Sequence, residues 1–251
     1  MTDQSHSLMR RGFRFLPNLF TLGNLAAGAA GILMVSYGEV INASWMVLLA
    51  AVLDLLDGFM ARAVGAESAL GKDLDSLADL VSFGVLPGML VAWFTAEAGG
   101  DLWMAYAAII LVPVAAAYRL ARFNNDPGQS VTFLGLPAPA NGILLGTWAL
   151  GIAYGRGWGM ELLTYISENP YLSLGIALAA ALLMVSRLPM LSFKVKSAKE
   201  RANIFRIAIV LLALLFVVFF GMAALPLAVA GYILLGAAGA SGTTLNAQRS
   251  V

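Results

Sequence analysis

Eight runs of mostly apolar residues, near 17–36, 42–64, 74–97, 102–122, 138–155, 171–187, 204–221 and 224–240, follow one another with short polar joints between them. A helix needs about 20 such residues to cross the hydrocarbon core of a bilayer. The pattern therefore predicts an all-α, polytopic transmembrane helix bundle of about eight spans. No alternation of strand and helix patterns interrupts it, and no long tandem repeat appears, so residues 1–251 read as one membrane domain. The last two runs are joined only by "GMAALP".

The polar joints set the orientation. Lys and Arg concentrate in cytoplasmic loops. With the N-terminus inside, fourteen of the fifteen basic residues fall on the cytoplasmic side, and only Arg156 falls outside. Both termini are thus expected in the cytoplasm. The opening "MTDQSHSLMRRGFRFLPN" has basic residues ahead of an apolar run, as a secretory signal does, but shows no small-residue cleavage site. The first run reads as a retained span, with residues 1–16 forming a basic, aromatic interfacial piece. Gly23, Ala27 and Gly31 recur at spacing four on the first helix, with Gly28 beside them, a stripe that allows close helix packing.

Composition agrees with lipid as the solvent. Hydrophobic residues make up 60% of the chain and charged residues 12%, against about 25% charged in ordinary soluble domains. Mean hydropathy is +0.84. The net charge of +1 offers no basis for nucleic-acid binding. The absence of cysteine excludes disulfides, thiolate nucleophiles and zinc–thiolate sites, and the single histidine, His6, lies in the polar N-terminal tail.

Against this background, "DLLDGFMARAVGAESALGKDLDSLAD" at 54–79 stands out. Asp54 and Asp57 are one helical turn apart, as are Asp75 and Asp79, so each pair shares a helix face. Counting from the outer end of the second span, Asp54 lies roughly 18 Å into a core about 30 Å thick, with Asp57 about 4.5 Å nearer the cytoplasm. The third span climbs back and brings Asp75 and Asp79 opposite them. An ionised Asp at the centre of a spanning helix costs about 2.5–3.5 kcal/mol on insertion scales, and four together repel one another. Divalent cations offset both terms, and with only oxygen donors available Mg²⁺ or Mn²⁺ fits best. Gly58, Ala61 and Gly71 interleave the acids and leave room for a ligand, while Arg62 carries a planar fork suited to phosphate. Two metals bridging phosphate oxygens is the arrangement of two-metal phosphoryl transfer. The competing reading is a plain ion network with Arg62, Lys72, Arg119 and Arg122.

The spacing Asp54-x2-Asp57-Gly58-x2-Ala61-Arg62-x8-Gly71-x3-Asp75-x3-Asp79 resembles the signature of the CDP-alcohol phosphatidyltransferase family at all of its eight fixed positions. Within that family, "LPNLFTLGNLAAG", "DSLADLVSFGVLPG", "YRLARFN", "FLGLPAPAN" and "SRLPMLSFK" are similar to the integral-membrane phosphatidylserine synthase branch. The resemblance implies transfer of the phosphatidyl group from CDP-diacylglycerol to L-serine, with CMP released. It implies that Asp54, Asp57 and Asp75 hold metal, and that Asp79 both helps bind metal and acts as base. Gly58, Ala61 and Arg62 would line the CDP site, and a homodimer is the family's tendency.

Serine brings a carboxylate, so its site needs a cation. Arg119 and Arg122 at the inner end of the fourth span, with Lys194 in the basic loop after the sixth, are the candidates; anchoring by the positive-inside rule is the alternative. Thr21 and Asn24 on the first helix are candidates for touching the nucleotide, with interhelical hydrogen bonding the equal competitor. The "GLPAPAN" stretch is expected to shape a helix start near the acceptor site. Two further functions stay open: the same chemistry with glycerol phosphate, inositol phosphate or choline as acceptor, and a cation-coupled transporter, since intramembrane acids also build ion pathways.

Overall fold

The computed structural model of the chain describes residues 16–65, 68–125, 133–190, 216 and 218–235. Its helices are α1 (Leu16–Ser36), α2 (Val40–Val64), α3 (Ala69–Asp79), a π-helical stretch (Leu80–Val85), α4 (Leu86–Glu97) and α5 (Leu102–Asn125). After these come α6 (Ala138–Gly146), α7 (Trp148–Tyr154), α8 (Gly157–Ser167), α9 (Pro170–Val185) and α10 (Ala224–Leu235). Among the described residues, four helical segments are long and apolar enough to cross a membrane: Pro17–Ser36, Val40–Ala63, Ala69–Glu97 and Leu102–Asn125. The bent pair α8–α9, with 99° between its halves, makes a fifth if it counts as one span.

Helix-on-helix packing accounts for nearly all of the architecture. Two-residue strands β1 (Phe133–Leu134) and β2 (Pro189–Met190) pair antiparallel and tie the chain entering α6 to the chain leaving α9. Large apolar side chains such as Leu33, Val52, Leu55 and Leu182 point outward. That arrangement suits a lipid solvent, in which apolar surface carries no penalty.

The first two spans match the hydropathy reading at both ends within about two residues, inside the usual uncertainty of helix limits. The third differs. Its helix begins at Ala69, not near 74, because the Ser68 hydroxyl accepts from the Gly71 backbone N–H at 3.0 Å and caps it. The fifth predicted span is two short helices, α6 and α7, broken at Thr147, where the backbone leaves helical geometry (φ −110°, ψ 12°). The Thr147 hydroxyl donates to the Ile143 carbonyl at 2.6 Å and satisfies a group that the break frees. The stretch between the fifth and sixth predicted spans holds α8, which hydropathy did not signal. The seventh predicted span, 204–221, lies almost wholly outside the described residues, as does the end of the eighth and the interfacial segment 1–15.

The small-residue stripe on α1 packs as its spacing suggests, against three different neighbours. A Cβ on Gly23 would stand 3.3 Å from Leu53, one on Gly31 would meet Leu86, and one on Gly28 would run into the Ser82 hydroxyl and stand 3.0 Å from its Cα. Gly28 therefore sets how closely α1 approaches the π-helical stretch. Gly28→Val is expected to lower stability by about 1–3 kcal/mol through overpacking. The check is the detergent-solubilised melting temperature, which should fall relative to Gly175→Val, since a Cβ on Gly175 meets open space.

Candidate functional site

Two helices joined by a tight turn bring the acids together. Gly65 ends α2 in the left-handed region (φ 61°) and donates its N–H to the Ala61 carbonyl. Without a Cβ it takes this conformation at little cost. Ser68 then starts α3. The turn folds the Asp54 and Asp57 face of α2 onto the Asp75 face of α3. One carboxylate oxygen from each of Asp54, Asp57 and Asp75 lies within 4.8 Å of the others.

Asp79 stands apart from this trio. It is buried, one turn further along α3, and its Oδ1 accepts from the Asn24 side-chain amide at 3.3 Å. Thus three of the four carboxylates expected to gather do so, and the fourth is held by α1. Thr21, one turn before Asn24, donates its hydroxyl to Asp57 Oδ2 at 2.7 Å, and the same hydroxyl lies 3.1 Å from the Pro17 carbonyl. Thr21 and Asn24 thus both serve acids rather than standing free. Thr21 still borders the cavity, whereas Asn24 has no exposed surface.

Of the nearby basic residues, Arg62 acts electrostatically on Asp57 and Arg119 on Asp79, while Lys72 and Arg122 are bonded to backbone carbonyls. Lys72 Nζ donates to the Asn124 carbonyl at 2.7 Å, and Arg122 donates to the Val185 carbonyl at 3.4 Å. The Arg119 guanidinium lies 5.9 Å from the Phe123 ring centroid. Arg62 folds back along α2 over Gly58. Asp75 Oδ1 is buried without a hydrogen-bond partner. Three carboxylates crowded in this way, one with an unpartnered oxygen, suit a divalent cation that prefers oxygen ligands. Among the described residues no histidine or cysteine joins them.

A cavity of about 430 Å³ opens beside the trio. Asp57 and Asp75 form its acidic wall, and Gly58, Ala61 and Gly71 keep its floor low. A Cβ on Gly71 would stand 3.1 Å from Ser68 Oγ and 3.4 Å from Asn18 Oδ1. Asn18, Ser68 and Lys72 also line this space, though the sequence reading did not select them as ligands. The serine cap before a helical glycine was the available signal for Ser68. Arg62, expected at the nucleotide, is exposed on α2 and outside the lining.

Of the acceptor candidates, Arg119 is buried on α5, with its Nε unpartnered, and Arg122 is half-buried one turn later. Lys194 lies outside the described residues. Asn124, at the end of α5, donates to Ser76 Oγ at 2.7 Å and fastens that helix to α3.

The family model described as CDP-alcohol phosphatidyltransferase matches residues 14–241. A CDP-diacylglycerol–serine O-phosphatidyltransferase of Mycobacterium leprae is 33% identical over 198 residues, covering 76% of this chain and 62% of that protein. One from Helicobacter pylori is 31% identical over 212 residues, covering 80% of this chain and 81% of its own length. An archaetidylserine synthase of Methanothermobacter thermautotrophicus is 34% identical over 143 residues, 55% of this chain and 59% of that protein.

Proposed function

From the premise that the chain belongs to the CDP-alcohol phosphatidyltransferase family, as an integral membrane protein, we propose that it transfers the phosphatidyl group of CDP-diacylglycerol to L-serine. The products are phosphatidylserine and CMP. The observation that carries this reading is the clustering of Asp54, Asp57 and Asp75, of which Asp57 and Asp75 line a cavity floored by Gly58, Ala61 and Gly71. The names of the relatives above, each specifying serine or a serine-containing product, support the choice of acceptor.

In this reading Asp54, Asp57 and Asp75 would hold two divalent cations, Mg²⁺ or Mn²⁺, with Asp79 adjoining. Bound there, such ions supply charge neutralisation for the diphosphate and for departing CMP. The chain's own groups do the rest. Gly58, Ala61 and Gly71 admit the diphosphate against the backbone, and Thr21 fixes the Asp57 carboxylate through its hydroxyl. Asp79, steadied by the Asn24 amide, takes the proton of the serine hydroxyl as its oxygen attacks the lipid-bearing phosphorus. The bond from that phosphorus to the CMP oxygen breaks, and CMP departs. Burial of Asp79 excludes competing water. Arg119, Arg122 and Lys194 are the cations proposed for the serine carboxylate, and Arg62 for phosphate.

About eight spans, both termini in the cytoplasm, a site open to the cytoplasm of a bacterial inner membrane and a homodimeric state complete the proposal. The one-sided placement of fourteen of the fifteen basic residues supports the orientation.

The test is product analysis with labelled serine and CDP-diacylglycerol, with and without chelator. Labelled lipid and CMP in equal amounts, lost on chelation, are expected. Product with glycerol phosphate, inositol phosphate or choline but not with serine would reassign the acceptor. Ion movement across liposomes without CMP release would favour transport. Arg122→Ala is expected to raise the KM for serine about 10-fold, by loss of a charge-assisted contact worth roughly 1.5 kcal/mol, and to leave the KM for CDP-diacylglycerol unchanged. Titration of each substrate separately checks it.

A further inference from the structure

The π-helical stretch Leu80–Val85 begins on the residue after Asp79. Its cause is legible in the chemistry of residue 87. In an α-helix the N–H of residue 87 would serve the carbonyl of Phe83, but residue 87 is proline and has no N–H, and its ring would clash with that carbonyl. A widened turn relieves the clash and leaves the carbonyl needing a donor. Asn141, 58 residues later on α6, supplies one: its side-chain amide donates to the Phe83 carbonyl at 2.8 Å.

The widened turn is gripped on every side. From α6, a Cβ on Gly142 would stand 2.5 Å from the Phe83 ring. From α5, Ala116 and Pro113 lie 3.0 and 3.3 Å from where Gly84 would carry one. From α1, Gly28 meets Ser82, whose hydroxyl donates to the Asn24 carbonyl at 2.9 Å. Asn24 is the same residue whose amide holds Asp79. Three hydrogen bonds therefore run from α6 through the π turn and α1 to the carboxylate of Asp79. Asn141 has no exposed surface, and its Oδ1 is buried without a partner. Leucine here would remove that unsatisfied oxygen but would also take from the Phe83 carbonyl its side-chain donor.

We infer that Asn141 is a positioning residue for the reaction: by replacing the backbone donor missing at Pro87 it fixes the π turn, and through Ser82 and Asn24 the turn sets where the Asp79 carboxylate points. This rests on the reaction proposed above, with Asp79 as the group that takes the acceptor's proton.

The test compares wild type with Asn141→Leu, which keeps the volume and removes the donor. Three readouts are taken in lipid nanodiscs: CMP release against each substrate, Mn²⁺ binding, and amide hydrogen exchange over residues 80–90. The expected result is a kcat lowered between about 10- and 100-fold, as misplacement of a reacting group produces, with both KM values and Mn²⁺ affinity within about 2-fold of wild type. Exchange over the π turn should rise at least about 10-fold. A kcat within about 2-fold of wild type, or a loss carried wholly by KM, overturns the assignment. Should Asn141→Leu fail to fold, Ser82→Ala probes the next link with little change of volume. There a kcat lowered at least about 3-fold at constant KM supports the assignment, and an unchanged kcat overturns it. If wild type itself releases no CMP with any acceptor, the assigned reaction fails. Unchanged exchange over residues 80–90 in Asn141→Leu would then overturn the role of Asn141 in the turn as well.

Discussion

Asp75→Asn is expected to lower CMP release by at least about 1000-fold, which corresponds to roughly 4 kcal/mol of lost transition-state stabilisation. Asp75 contributes to the only group of three potential ligand carboxylates found among the described residues, and its Oδ1 is a carboxylate oxygen of that group buried without a hydrogen-bond partner. An amide there keeps the shape and removes both a charge and a strong oxygen ligand. The stability consequence has the opposite sign in the absence of metal. Like charges within 4.8 Å repel, so in chelator the variant should melt no lower than wild type. With Mn²⁺ at about 100 times its dissociation constant, wild type should gain roughly 2.7 kcal/mol and the variant much less. Melting in detergent with and without Mn²⁺, beside the turnover assay, separates loss of the ion from loss of the fold. Full activity in Asp75→Asn would contradict the metal assignment.

Asp79→Asn is expected to reduce turnover by about 100- to 10,000-fold, the range for removal of a positioned general base. Mn²⁺ binding by the trio should survive, because Asp79 lies outside it and faces the Asn24 amide. The two variants are thus expected to differ in kind: one loses the ion, the other keeps it and loses the proton acceptor. Mn²⁺ binding measured on both decides this. If Asp79→Asn lost the ion as completely as Asp75→Asn, its place would be among the ligands and the base would have to be sought elsewhere.

The acids were legible in the sequence because their spacing is short-range: a helix turns a separation of three or four residues into a shared face, and a turn of a few residues apposes two such faces. The first two spans were legible because an apolar run long enough to cross a bilayer has few alternatives to a helix. What remained hidden depends on partners distant in sequence. Asn24 reads as a polar residue free to meet a nucleotide until Asp79, 55 residues later, is found against it. The break at Thr147 escapes a hydropathy average because the side chain that satisfies it sits within the same apolar run. The π turn needs both a proline and an asparagine from another helix. The proline alone marks a distortion without saying which kind.

The lining of the cavity comes entirely from Pro17 to Asp75, the first third of the chain. The arginines proposed for the acceptor's carboxylate come from α5, beyond Asp101. A division of labour along the polypeptide follows. On the roles proposed above, chimaeras of two family members joined near residue 100 should inherit donor preference from the first parent and alcohol preference from the second.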